Sequence, residues 1–411
     1  MLKLNLIHTL AFGGLALLLG YGMRRWIPML GRLNMPAAVL GGLLVSMAAW
    51  IGHARGVELF EFDTTLQSPL MIAFFTTVGF GASLSLLRVG GPLVFKFLLL
   101  ASAFAVLQNV LGVLLALLFG LPALFGLLAG SVTLTGGPAT GLAFAPLFEQ
   151  AGVVGAASIA VAMGMAGIVS GALIGSPVAT WLVHRHGLHG RKVGGAAARV
   201  AARQSGIADE PVVSTPQAGA PGEDDDEVFP LLKNIIALLV AMWIGAWVSG
   251  VIARTGFTLP PYIGAMLVAA LLRNGDDRFG WFSLSPRVLD TLGAVALSLF
   301  LVVALMNLKL WELAGLALPL VVILVAQIAL AALGAIVVFG RMGRNYESAV
   351  MTGGFIGFML GTTANAMAVM RSLVERYGPA PRAFLVAPLV GAFFIDFVNA
   401  LLITLGINLF K

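Results

Sequence analysis

Residues 351–370, MTGGFIGFMLGTTANAMAVM, form a stretch apolar enough to enter a bilayer, yet it carries four glycines and the polar cluster Thr362-Thr363-Ala364-Asn365. A plain membrane-crossing helix has no use for that centre. Glycine releases the backbone from the helix, Thr and Asn supply polar atoms, and non-helical backbone at membrane depth survives only where protein or a water-filled cavity satisfies it. A re-entrant hairpin with a polar tip is the expected product. A second stretch of this kind lies about half a chain earlier, at 127–148, where Thr135, Gly136, Gly137, Thr140 and Gly141 interrupt an apolar frame. Paired, interrupted apolar segments at corresponding places in two halves point to the binding site of a transporter.

Composition fixes the solvent. Of 411 residues, 59% are hydrophobic and 10% charged, too few charges to cover a soluble globule of this size, so the chain reads as a multi-pass membrane protein. The net charge of +6 does not indicate nucleic acid, because the basic residues sit singly or in pairs between apolar segments, where they set topology. The absence of cysteine excludes disulfides, thiolate metal sites and a cysteine nucleophile. Residues 4–21 lack a basic leader and a small-residue cleavage site, and read as a retained first span.

Apolar segments fall at about 4–22, 36–53, 68–88, 93–119, 122–148 and 153–183, and again at 229–253, 258–272, 288–308, 315–340, 346–371 and 383–410. Between them, residues 185–228 are polar and rich in Gly, Ala and Pro, which predicts a flexible cytoplasmic linker with a short surface helix near 196–203. If 122–148 and 346–371 each enter and leave on one side, with the N-terminus outside, 19 Lys and Arg residues fall inside and 5 outside. That division obeys the positive-inside rule; full crossings by both segments would give 10 to 14. The expected fold class is therefore all-α: ten transmembrane helices in two inverted-topology five-span halves, 1–184 and 229–411, each with one hairpin and both termini outside.

Five crossings per half invert the second copy, and a weak repeat agrees. Gln108 lies twelve residues before Gly120, and Gln327 thirteen before Gly340. Each interrupted segment is followed by an acidic turn (147–152 and 373–378) and then by a final span carrying Gly171-Ala172-Leu173 or Asn399-Ala400-Leu401.

Asp396 is the one acidic residue well inside an apolar segment, where a carboxylate must be paired, protonated, or face a cavity or cation. Asn399 shares its helical face, and their oxygens suit a hard cation such as sodium; capping a helix end or bonding hairpin backbone is the alternative. The hairpin tips, Thr135, Gly136, Gly137, Thr140 and Gly141 with Gly361, Thr362, Thr363 and Asn365, are candidates for the substrate, set against close helix packing by small residues. Helix N-termini aimed at the midplane could hold a carboxylate there. Gln108, Gln327 and Thr76 are further candidates for the ion, against interhelical hydrogen bonding or packing. His184, His186 and His189 have a spacing that invites a metal, but they lie in a loop beside Arg185 and Arg191, and no transition metal is expected. No nucleophile with a general base, phosphate loop or carboxylate pair is visible, so an enzyme is unsupported and no organic cofactor is implied.

The runs SPLMIAFFTTVGF (68–80), GLLAGSVTLTGG (126–137), SLFLVVALMNLKLWELAGLALP (298–319), NYESAVMTGGFIGF (345–358) and AFLVAPLVGAFFIDFVNALLI (383–403) give the chain a further identity. It resembles the bacterial sodium/glutamate symporters over nearly its full length apart from the linker. The resemblance implies a dimeric, elevator-type carrier of the inner membrane that takes up L-glutamate with sodium as coupling ion. Two departures bear on substrate. Pro138-Ala139 replaces a small pair after the first glycine pair, and Met359 and Ala364 stand where the second hairpin's pattern has glycine and proline. A sodium- or proton-coupled carrier of citrate-like hydroxycarboxylates is the competing reading within transport. A channel would need polar lining along several spans, whereas polarity here is concentrated at two tips.

Overall fold

The computed structural model describes residues 2–188 and 224–410, apart from 258 and 314. The linker expected at 185–228, its surface helix and His189 therefore lie largely or wholly outside the described residues. The protein is helical except for one small ribbon, in which β1 (Leu2–Leu4) pairs in parallel with β2 (Phe60–Phe62). Eight helices among the described residues are long and apolar enough to cross a membrane. Two further segments read as spans differ for local reasons. α4 (Gln67–Gly81) has only 15 residues, and α10 (Pro261–Phe279) ends in the charged run Arg273, Asp276, Asp277 and Arg278.

The helices sort into two packed groups, and each half of the chain contributes to both. One group holds α1 (Leu6–Trp26), α2 (Pro28–Arg32), α3 (Ala37–Ala54) and α4 from the first half, with α9 (Asp224–Ala253), α10 and α11 (Pro286–Met306) from the second. The other holds α5 (Leu84–Leu118), α6 (Ala123–Leu127), α7 (Gly137–Gln150) and α8 (Ala156–Arg185), with α12 (Ala317–Arg341), α13 (Tyr346–Met359), α14 (Thr363–Tyr377), α15 (Pro381–Leu389) and α16 (Ile395–Phe410). Aromatic contacts fasten each interface. Phe355 on α13 meets Phe104 of α5 edge-on at 5.1 Å, while Phe144 of α7 reaches across the groups to Tyr262 of α10 at 5.1 Å.

The passage from the first group to the second runs through α5, whose start differs from the expected span at 93. The helix begins at Leu84 and breaks at Gly91, where φ 64° and ψ −162° put the backbone in a region open essentially to glycine. Pro92 follows, without an N–H for the helical ladder. Ser83 and Ser85 both donate to Asp277, and Asn274 Nδ2 donates to Ala82 O, which pins this turn to α10.

Both interrupted stretches break where glycine and polar residues concentrate. In the second, α13 and α14 run antiparallel, and Tyr346 Oη at the start of α13 donates to Gly378 O just past the end of α14, so entry and exit lie together. In the first, α6 continues through a π-helical turn (Leu128–Val132) along α5, and then α7 departs along α8. Its two ends also share one end of the molecule. α12 runs antiparallel to α5, with Gln327 bonded to Gln108 O and Gly334 against Phe104, so the start of α12 lies beside the end of α5. The loop before α12 in turn accepts a hydrogen bond at Lys309 O from Ser158 Oγ, just after α7. At the far end of α8, His184 Nε2 bonds Tyr377 Oη, which places the ends of the second stretch at the opposite pole.

Candidate functional site

The two breaks meet. Along α8, Gly164 packs on Pro138 of the first tip, and Gly167 on Leu360 of the second. A Cβ at Gly167 would lie 2.5 Å from Leu360 O, so only glycine permits this approach. A Cβ built on Gly137 would be 3.6 Å from Gly361 O and 3.8 Å from Thr362 Cγ2. Helix α7 therefore starts within van der Waals reach of the start of α14. The first N–H groups of a helix lack intrahelical partners and carry its partial positive charge, so two such starts brought together favour an anion.

Beside them lies a cavity of about 230 Å³, lined by Gly136, Gly137, Pro138, Ala139 and Thr362 of the tips and by Tyr21 and Arg24 of α1, among others. The remaining wall is the start of α3 (Pro36, Ala37, Ala38) and the middle of α11 (Leu297, Ser298, Leu301), both from the opposite helix group. Arg24 is half-buried. In sequence it reads only as a positive-inside residue; nothing in the chain signals that α1 brings it to the tips.

Behind the tips, a hydrogen-bonded chain crosses the buried core. Gln327 Nε2 donates to Gln108 O at 2.7 Å, and Gln108 Nε2 donates to Met359 O of the second tip at 3.0 Å. Thr135 Oγ1 of the first tip donates to Gln108 Oε1 at 2.5 Å. One glutamine side chain thus ties the two breaks together, and its partner in the chain is the glutamine aligned with it in the weak repeat. The final helices continue the exchange. Asn399 Nδ2 donates to Ser131 O at 3.0 Å and Ser131 Oγ donates to Asn399 Oδ1 at 2.6 Å, in the broken stretch of the other half. Gly171, the residue matched to Asn399, packs against Leu360 and Gly357 of the second-half broken stretch.

The sequence candidates occupy four kinds of place. Gly136, Gly137 and Thr362 line the cavity. Thr135, Thr140, Gly141, Gly361, Gln108, Gln327, Asn365 and Asn399 are buried behind it. There Asn365 Nδ2 donates to Ile168 O, Thr363 Oγ1 donates to Gly391 O, and Gly141 packs on Ala160. Thr76 stands apart in the other helix group, its hydroxyl donating to Ile72 O of its own helix. Asp396 is half-buried one turn before Asn399, and no hydrogen bond or ion pair reaches its carboxylate among the described residues. Two oxygens in this region, Asn365 Oδ1 and Gln327 Oε1, are buried without a partner.

The departures have locations too. Pro138 is the second residue of α7 and Ala364 the second of α14, positions where a missing N–H costs no helical bond. Met359 is fully buried behind the tips and does not line the cavity. His184 and His186 are engaged by Tyr377 and Phe339, and no group of three metal-ligating side chains occurs among the described residues.

A family profile described as Sodium/glutamate symporter matches residues 2–379. The Sodium/glutamate symporter of Escherichia coli (strain K12) is 41% identical to this chain over 416 aligned positions, covering 100% of this chain and 99% of the relative. That of Haemophilus influenzae is 37% identical, covering 96% and 95%. With the match spanning both helix groups and both broken stretches, the chain belongs to the sodium/glutamate symporter family.

Proposed function

We propose that this chain takes up L-glutamate, or a closely related anionic amino acid, together with sodium across the bacterial inner membrane. The convergence of two helix starts on one cavity carries the reading, because it supplies backbone N–H groups and two positive helix ends to a carboxylate. The tips act as re-entrant hairpins of a ten-span inverted repeat with both termini outside and the linker cytoplasmic. The pairing of Gln108 with Gln327, and of each final helix with the other half's hairpin, supports that symmetry. Asp396 supplies the charge for sodium. Its carboxylate meets no donor among the described residues, and Asn399 beside it links the site to the first tip.

Alternating access follows by translation of the tip-bearing group against the other. The tip cavity touches α11 at Leu297, Ser298 and Leu301, and a second cavity of about 410 Å³ touches it from Ala304 onward, with Asn307 and Lys309. Between Leu301 and Ala304 the barrier is three residues, about 4.5 Å of helix. Both cavities also abut α7, so sliding α7 along α11 would transfer the tips from one to the other. A homodimer is assigned on the family resemblance.

Proteoliposomes with an imposed sodium gradient test the reading. Saturable glutamate uptake is expected, outcompeted by unlabelled glutamate better than by aspartate or citrate; uptake indifferent to sodium would overturn the coupling. Asp396→Asn should raise the sodium concentration for half-maximal uptake, and an unchanged sodium dependence removes Asp396 from the ion site.

A further inference from the structure

We infer that Arg24, on the helix group opposite the hairpin tips, is a specificity residue. It binds the substrate's second carboxylate and so selects dicarboxylic over monocarboxylic amino acids while the cavity is open on its side. The inference rests on the tip cavity being the substrate site. The observations are independent of the tips' own chemistry. Among the residues lining this cavity Arg24 is the one cation, and no lining residue is acidic. It is half-buried, yet its guanidinium makes no ion pair with any described residue. Arg273, half-buried like Arg24, by contrast holds Asp277 at 3.0 Å. A half-buried guanidinium lining a cavity without a counter-charge is a site for a carboxylate, which it can grip through two parallel N–H groups.

The division of labour follows from geometry. The helix starts at Gly137 and Thr363 offer partial charge at one wall, which suits one carboxylate; Arg24 offers a full charge at the wall contributed by α1. A substrate with one carboxylate leaves Arg24 unmatched, so the discrimination lies in the second group. Because Arg24 and the tips belong to different helix groups, the contact exists only while they are apposed as here. Arg24 therefore acts on affinity from this face of the protein and not from the other.

The test measures proteoliposome transport in both directions by wild type, Arg24→Gln and Arg24→Lys, with glutamate and glutamine as competitors. Arg24→Gln should raise the half-saturating glutamate concentration about tenfold on the Arg24 face alone, the loss of one charge-assisted contact. It should also erase most of the preference for glutamate over glutamine there, while Arg24→Lys restores part of it. Equal effects on both faces, or an unchanged glutamate-to-glutamine ratio in Arg24→Gln, overturn the inference. If Arg24→Gln does not insert, Arg24→Lys alone decides: an unaltered ratio and half-saturation with the bidentate fork removed refute the specificity role. Failure of the tip reading looks different, since Ala139→Val, which fills the cavity at the first tip, would then leave transport of both substrates untouched.

Discussion

Removing the Gln108 side chain should uncouple the two tips without touching the cavity they line. Gln108 is fully buried and joins Thr135 of one tip to Met359 O of the other. Gln108→Ala leaves the Thr135 hydroxyl and the Met359 carbonyl without their main partner, at about 1–3 kcal/mol for each unsatisfied group. Together these groups cost about 2–6 kcal/mol and the vacated volume adds to that, a destabilisation large against a folding stability of about 5–15 kcal/mol. Gln108→Glu keeps an acceptor for Thr135 and, as the neutral acid, a donor for Met359 O, so it should cost less than Gln108→Ala when protonated and more when ionised. The assay is thermal unfolding of detergent-solubilised protein, paired with half-saturation of sodium-driven glutamate uptake. A double-mutant cycle with Thr135→Val supplies the control, because the hydroxyl and its acceptor are then removed together and the costs should overlap by about 0.5–3 kcal/mol. Additive losses, or a Gln108→Ala protein with wild-type melting and half-saturation, would refute the tie between the tips.

Gly167→Ala forces a Cβ to within 2.5 Å of Leu360 O, a backbone atom, and should lower the melting temperature by the equivalent of about 1–3 kcal/mol. Gly14→Ala, with nothing within 4 Å, is the matched control and should not. Burial alone would raise the Asp276 pKa, but hydrogen bonds from the N–H groups of Leu284, Phe282 and Ser283, with Arg273 nearby, outweigh it and hold the carboxyl below its ordinary range. Its folded pKa is depressed, so its stabilisation is complete above about pH 4 and is lost as pH falls further. Acid titration of the melting temperature should show wild type converging on Asp276→Asn below that pH, and parallel curves would contradict the assignment.

The two broken stretches were legible because their cause is local: glycine frees backbone and Thr or Asn satisfies it, wherever the rest of the chain lies. For the same reason the segmentation into apolar helices, the linker and the candidate tips could be read from residue order. The break at Gly91 was also written in the chain, as Gly90-Gly91-Pro92, but the apolar run around it masked the signal.

What order could not supply is which side chains meet. Gln108 and Met359 are 251 residues apart, and Asn399 and Ser131 are 268 apart. At such separations a polar residue in an apolar helix carries no mark of its partner, so the sequence left Gln108, Gln327 and Asn399 between ion binding and interhelical bonding. In the structure their amides bond across helices. Packing also set Thr76 in the other helix group and turned Arg24 from a topology signal into the wall of the tip cavity. Local chemistry determined where the chain must break. Only the docking of two helix groups, each built from both halves, determined what those breaks face.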